Sequence, residues 1–298
     1  MMETKPVTPS KTSAQRVAAT SSPADARLGE LLQHDGTLTE QDVRDIMAAQ
    51  RLLGERFGEV ASRLGLVKEQ DVQHALARQA EFPLALPGES TLSPELITAY
   101  QPASARAEEL RTLRSELGLR WFGKGNRALA IVEARPGDGC GILAANLAVA
   151  FAQLGERTLL IDANLRAPAQ QGLFGLKSDV GLVEFIRGRE NLDSASVKVP
   201  GFNCLSVMFT GAVPPNPQEL LGHVSFAYLM ETAASKFGVV IVDTPPMLQC
   251  ADAQLIAARA GGAVLATRRH ATRLTEVIRI KALLEAAGAS LLGAVIDG

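Results

Sequence analysis

The sequence predicts a parallel-sheet α/β domain preceded by a small helical domain, and three observations carry that prediction. An apolar run, Ala128-Leu-Ala-Ile-Val132, leads into the turn Pro136-Gly137-Asp138-Gly139 and then into the helix-like stretch Ile142–Phe151. Two further apolar runs, Thr158–Asp162 and Val239–Asp243, each end in a carboxylate. Continuous apolar runs bounded by turn residues suit strands covered on both faces, as in a parallel sheet. Third, residues 27–50 and 56–79 repeat one 24-residue pattern across a five-residue spacer.

Taken in order, residues 1–26 are rich in Ser, Thr, Ala, Pro and Lys and predict a disordered tail. Residues 27–85 form the repeat domain. Each unit begins Arg-aromatic-or-Leu-Gly (Arg27-Leu28-Gly29 and Arg56-Phe57-Gly58) and ends in Gln50 or Gln79. Within a unit, a short helix ends at a glycine able to adopt the left-handed cap, Gly36 or Gly65. A second helix follows, with apolar positions four apart. Thr39 caps that helix in the first unit; Lys68 stands at the same place in the second, so its cap is weaker. Arg27 and Arg56 can stack on a base or grip a phosphate, or can simply anchor a helix start. Residues 86–102, with Pro87 and Pro102, read as a linker holding one short helix.

The α/β domain spans 103–298. A phosphate-binding loop needs a glycine turn, then Lys, then Ser or Thr, at a helix start. The turn is present, but the Lys position is Cys140 and the hydroxyl position is Gly141. Pro136, Gly137, Asp138, Gly139, Cys140 and Gly141 are the candidate nucleotide-contacting residues, since backbone N–H groups and the helix dipole still favour an anion. Asp162 and Asp243 stand where such folds place ligands, and together they can hold a magnesium ion; alternatively each caps the loop after its strand. The helix N-terminus would lower the Cys140 thiol pKa, or Cys140 is a small residue tolerated after loss of Lys, which is the preferred reading. A last strand is expected over Ser290–Ile296.

This set resembles the bacterial tyrosine kinases (BY-kinases) of capsule and exopolysaccharide synthesis, EpsG-like in overall layout, which are relatives of the deviant-Walker MinD and ParA ATPases. The matching segments are Asp162-Ala-Asn164-Leu-Arg166-Ala-Pro168, Asp243-Thr-Pro245-Pro246, Ala144-Ala-Asn-Leu-Ala148 and Pro215-Asn-Pro-Gln-Glu-Leu-Leu221. Glu108-x-x-Arg111-x-x-Arg114 matches the family's ring-forming helix, and also suits a plain charged helix face. The resemblance implies ATP or ADP with Mg²⁺ as cofactors, Asp162, Arg166 and Asp243 as the catalytic set, and Asp162 with Asp243 on the metal. It also implies a homo-oligomer working with a Wzz-type membrane chain-length determinant protein.

Cys140, Gly141, Ile142 and Asn164 depart from the family pattern, Asn164 standing where it has a second aspartate. Asn cannot accept a proton as a general base does. Phosphoryl transfer rests on positioning and charge stabilisation, so these losses together predict a pseudokinase. The rival expectations are an active protein-tyrosine autokinase and a MinD/ParA-like ATPase.

The tandem repeat is similar to the MshEN domain of secretion and pilus ATPases, whose paired units bind cyclic di-GMP. That resemblance implies cyclic di-GMP contacts at Arg27, Leu28, Gly29, Gln50, Arg56, Phe57, Gly58 and Gln79. Gln33, Thr37 and Ser62 are polar where that family is aliphatic. The other reading is a helical adaptor with no ligand.

A net charge of −2 argues against bulk nucleic-acid binding. The basic run from Arg268 to Lys281 is interrupted by Glu276 and reads as a solvated helix face. Three cysteines predict no disulfide framework, and the four histidines show no metal spacing. No apolar run approaches a spanning helix and no signal peptide is evident, so the expectation is a cytoplasmic protein, at the inner membrane only through a partner.

Overall fold

A computed structural model describes residues 23–79, 83–85, 88 and 90–297; within helices, the side chains of residues 23, 24, 26, 70, 73 and 77–79 are also outside the description. The chain divides into two compact units, Met1–Glu81 and Phe82–Gly298.

The first unit holds four helices: α1 (Pro23–His34), α2 (Glu40–Leu53), α3 (Phe57–Arg63) and α4 (Glu69–Gln79). Most of the expected tail, residues 1–22, lies outside the described residues, but α1 starts inside it. The reason is local: Pro23 occupies a first-turn position and Asp25 an acidic first turn. Gly36 and Gly65 take the left-handed conformation at matching repeat positions, with φ of 71° and 70°. Thr39 forms a full capping box with Asp42, whose N–H donates to Thr39 Oγ1 at 3.2 Å. Lys68 has no side-chain oxygen to offer, so of the reciprocal capping pair only one half is present, its own N–H donating to Asp71 Oδ2 at 3.1 Å.

Leu28, Leu32, Ile46, Phe57, Val60 and Val72 form the core of this unit. The two repeat glycines are packing residues. A Cβ at Gly29 would meet the Phe57 ring at 3.3 Å, and one at Gly58 would meet Val72 Cγ1 at 2.5 Å.

The second unit is a seven-stranded sheet: β1 (Ala128–Glu133), β2 (Thr158–Asp162), β3 (Val197–Lys198), β4 (Leu205–Met208), β5 (Val239–Asp243), β6 (Gly262–Arg268) and β7 (Ser290–Asp297). The order is β3-β4-β2-β5-β1-β6-β7, all parallel except the short edge strand β3. Its helices are α5 (Ile97–Tyr100), α6 (Ala105–Arg120), α7 (Cys140–Gln153), α8 (Gln170–Phe174), α9 (Leu182–Ile186), α10 (Pro217–Gly222), α11 (Val224–Lys236), α12 (Asp252–Ala260) and α13 (Leu274–Ala286).

Alternation along β1 shows how the sheet is covered. Ala128, Ala130 and Val132 pack with residues of α11, α12 and α13; Leu129 and Ile131 pack with residues of α5, α6 and α7. Strands buried on both faces explain why the sequence reads as continuous apolar runs rather than as alternation.

The expected linker, 86–102, is instead part of this unit. Leu92, Leu96 and Ala99 are buried in its core. Two polar residues of α7 pin the segment. Asn146 Oδ1 accepts from Thr98 N–H at 3.1 Å, and Asn146 Nδ2 donates to the Glu95 carbonyl at 3.0 Å. Gln153 Nε2 donates to the Thr98 and Pro83 carbonyls at 2.8 and 2.9 Å. Prolines and turn residues mark irregular backbone, but irregular backbone packs wherever apolar side chains and buried amides meet it.

Candidate functional site: a phosphate-binding loop without its cation

The site lies at the carboxyl ends of β1, β2 and β5, where an open parallel sheet places its ligands. The register of the sheet sets Asp162 directly beside Asp243. Between β1 and α7 the chain turns through Gly137 and Gly139, with φ of 93° and 92°, a conformation only glycine adopts without strain. Asp138 closes this turn: its carboxylate accepts from Arg135 N–H at 3.3 Å and from Thr272 Oγ1 at 3.1 Å.

Cys140 is buried at the first position of α7. Its Sγ lies 2.9 Å from the Ile131 carbonyl and 3.3 Å from Asp243 Oδ1. Burial pushes the thiol well above its usual pKa, and the charges of Asp243 and Glu133 add to this. The helix N-terminus by itself would lower it. Burial between two carboxylates outweighs the dipole, so Cys140 is a neutral thiol here.

Gln170 is a site residue that the sequence reading missed. It is fully buried, and its Nε2 donates to Asp243 Oδ2 at 2.7 Å and to the Gly141 carbonyl at 3.1 Å. Its backbone N–H donates to Asp162 Oδ2 at 3.1 Å. Only the polarity of Gln170-Gln171 in the loop after Asp162 hinted at it.

Three acids crowd this end of the sheet. Burial raises Asp162 to about 8, with the charge of Asp243 adding to it. Burial likewise raises Glu133 to about 7 and Asp243 to about 6. In front of them opens a cavity of about 400 Å³ lined by Glu95, Glu133, Asp243, Gly137, Gly139, Cys140, Gly141 and Asn164; no Lys or Arg is among the described residues that line it.

The remaining expected residues are placed as follows. Arg166 is not at the cavity: its Nε and Nη2 donate to the buried Asp252 of α12 at 2.8 and 3.1 Å. A buried carboxylate holds a guanidinium firmly, and this ion pair keeps Arg166 beside α12 rather than among the residues lining the cavity. Asn164 Oδ1 accepts from Ala167 N–H at 3.1 Å and shapes its own loop. Glu108 and Arg111 pair with each other along α6, and Arg114 Nη1 donates to the Ala150 carbonyl at 3.0 Å.

In the first unit Arg27 and Arg56 are exposed, whereas Leu28 and Phe57 are buried in the core. Gln50 is buried, and its Nε2 donates to Asp25 Oδ2 at 3.0 Å. The side chain of Gln79 lies outside the described residues. Among the described residues no helix is long and apolar enough to cross a membrane.

A parallel sheet with a glycine-rich loop after its first strand and carboxylates ending two neighbouring strands defines the nucleotide-binding P-loop class. The chain belongs, within that class, to the bacterial tyrosine kinase (BY-kinase) family. It is 35% identical over 209 residues to tyrosine-protein kinase YwqD of Bacillus subtilis, covering 70% of this chain and 88% of that one. It is 34% identical over 209 residues to the putative tyrosine-protein kinase CapB of Staphylococcus aureus, covering 70% of this chain and 91% of the relative. The crystal structure of the chimerical protein CapA2B2 superposes with a TM-score of 0.65 at 32% identity, over 75% of this chain and 97% of that one. No protein-family model matches the chain.

Proposed function

We propose that this chain is a degenerate member of the kinase family: a regulator of exopolysaccharide synthesis or export that does not transfer phosphate. One observation carries the reading. Where a kinase of this family holds a lysine against the phosphates, this chain holds a buried neutral thiol, bonded to Asp243, before a cavity lined by carboxylates and no cation. Any of these carboxyls that is ionised repels a polyphosphate, and no Lys or Arg among the described residues lines this cavity to offset it. The backbone N–H groups of the loop remain as the means of holding ATP or ADP. Asp162 and Asp243 would carry the metal in an active relative; burial beside Asp243 favours the protonated form of Asp162, which suits that role poorly.

The test is direct. Purified chain with magnesium and ATP should yield no phosphotyrosine at Tyr100 or Tyr228, and no hydrolysis above buffer. Phosphotyrosine that disappears in an Asp162→Ala variant would establish the active-autokinase alternative instead.

For the first unit the proposed role is binding of cyclic di-GMP. The support is the repeat itself, which sets Arg27 and Arg56, both exposed, at matching repeat positions, Arg27 within α1 and Arg56 at the N-cap of α3. Arg27→Ala and Arg56→Ala should each weaken binding roughly ten- to a hundred-fold, the effect of losing a charge-assisted contact of about 1.5–3 kcal/mol. The double variant should abolish it. Gln50→Ala should matter less, because Gln50 already bonds Asp25. Calorimetry of the full chain that shows no heat with cyclic di-GMP at high micromolar ligand leaves a helical adaptor in its place.

The proposed partner is a Wzz-type membrane chain-length protein, and the proposed assembly a homo-oligomer formed through Glu108, Arg111 and Arg114. Light scattering should show a smaller particle for the Arg111→Ala, Arg114→Ala variant. Monomers in both proteins across a wide concentration range would refute this role.

A further inference from the structure

Magnesium does not fit this pocket. The ion takes oxygen ligands in near-octahedral geometry and keeps several of its waters. Here the group that faces Asp243 Oδ2 is an N–H donor, the Gln170 amide at 2.7 Å, and its positive end opposes a cation. Residue 141 offers no hydroxyl. Asp162 Oδ1 and Gln170 Oε1 are buried without a hydrogen-bond partner among the described residues, but both are shut off from the waters that magnesium retains. No group of three His, Cys, Asp or Glu side chains among the described residues is arranged to hold a metal.

The same atoms show what takes the ion's place. Gln170 Nε2 reaches Asp243 at the end of β5 and the Gly141 carbonyl in the first turn of α7. The backbone N–H of Gln170 reaches Asp162 at the end of β2. One residue therefore ties together two strand ends and the phosphate-binding helix, a tie that a cation makes elsewhere through its ligands. Gly141 leaves room for it: a Cβ there would lie 3.2 Å from Asp243 Oδ2 and 3.3 Å from Gln170 Nε2. Cys140 donates toward the other oxygen, Asp243 Oδ1, at 3.3 Å. The residues at 140, 141 and 170 thus fit one another as a set, beyond the mere loss of Lys and Ser.

We propose that the buried Gln170 amide is a built-in substitute for the divalent cation, holding the loop in its folded form without metal and dependent on glycine at position 141. Gln170 acts as a positioning residue. The inference rests on reading the pocket as a degenerate phosphate site, but its test needs neither nucleotide nor phosphoryl transfer.

The experiment uses the full chain, without nucleotide, in chelator, in millimolar MgCl₂ and in MnCl₂. Wild type should melt at one temperature in all three and bind no Mn²⁺ by electron paramagnetic resonance. Gln170→Ala should lower Tm by about 4–10 °C, as expected for unpairing a buried charged acceptor, and Mn²⁺ should restore part of the loss. Gly141→Ser should lower Tm in wild type but have little effect in the Gln170→Ala background, because the two positions share one space.

Mn²⁺ binding by wild type that is lost in Asp243→Asn would overturn the proposal, as would additive effects of the 141 and 170 changes. If Gln170→Ala does not fold, the wild-type Mn²⁺ titration decides alone. Wild type that binds Mn²⁺ yet forms no phosphotyrosine refutes the substitution and leaves the pseudokinase reading intact. Phosphotyrosine without a metal response in the absence of nucleotide refutes the pseudokinase reading alone.

Discussion

Magnesium-dependent ATP binding is expected to return only when three positions change together: Cys140→Lys, Gly141→Ser and Gln170→Ala. The lysine supplies the missing positive charge at the start of α7, where Glu133 and Asp243 would pair with it until phosphate arrives. The serine supplies the missing hydroxyl, but its Cβ would stand 3.3 Å from Gln170 Nε2, so the double change at 140 and 141 crowds the amide while leaving it bonded to Asp243. Removing the amide frees Asp243 Oδ2. Each charge-assisted contact regained is worth about 1.5–3 kcal/mol, so the triple variant should bind at least about a hundredfold more tightly than wild type.

Calorimetry with ATP, in magnesium and in chelator, reads this directly. A double variant that binds as tightly as the triple would show that Gln170 does not obstruct the site. Phosphotyrosine should stay at background even in the triple variant, because Asn164 still stands where the family has an aspartate and Arg166 is held by Asp252. Adding Asn164→Asp is the further step that transfer requires.

How much of this was legible beforehand depends on the range of the interaction. Strand runs such as Val239–Asp243 announce themselves because parallel strands are apolar on both faces, and the carboxylates expected at two strand ends fall beside each other in register. Gly36 and Gly65 were readable because a left-handed cap follows from neighbours alone.

The features that escaped are pairings between residues far apart in the chain. Nothing near Gln170 says that it will bond Asp243, and nothing near Arg166 points to Asp252. The stretch around Leu92 and Leu96 looked like a linker because its prolines and turn residues are local signals, whereas the amides of Asn146 and Gln153 that hold it lie on α7. For the Cys140 thiol, the lowering influence of the helix dipole is visible in sequence and the carboxylates enclosing the sulfur are not, so only the preferred reading, a small residue in place of Lys, agrees with the raised pKa.

Those enclosed carboxylates also set the dependence of stability on pH, which should run opposite to that of most proteins over the neutral range. Asp162, Glu133 and Asp243 titrate near 8, 7 and 6 in the fold, against 3.8, 4.5 and 3.8 in an unfolded chain. Between those limits the folded state binds more protons than the unfolded one, so stability falls as pH rises. The contribution is complete below about pH 4 and is lost as pH climbs through 6 to 8.

Carrying Asp162 from 3.8 to about 8 corresponds to on the order of 5 kcal/mol, or a fall in Tm of about 10–20 °C for a unit of this size. On the acid side, Glu276 is lowered by the Arg273 N–H and by Arg135, and Asp42 by Thr39, so their contributions vanish as pH falls below the usual carboxylate range. The optimum should therefore lie near pH 5. Thermal melts in chelator from pH 4 to 9 test this, following the transition of the second unit. Asp162→Asn should flatten the profile above about pH 6, because the amide has no proton to lose where the acid is most costly to ionise. A melting temperature that is level or rising from pH 5.5 to 9 would mean that the three acids are ionised in the folded chain, and that the pocket carries a negative charge which only a bound cation could offset.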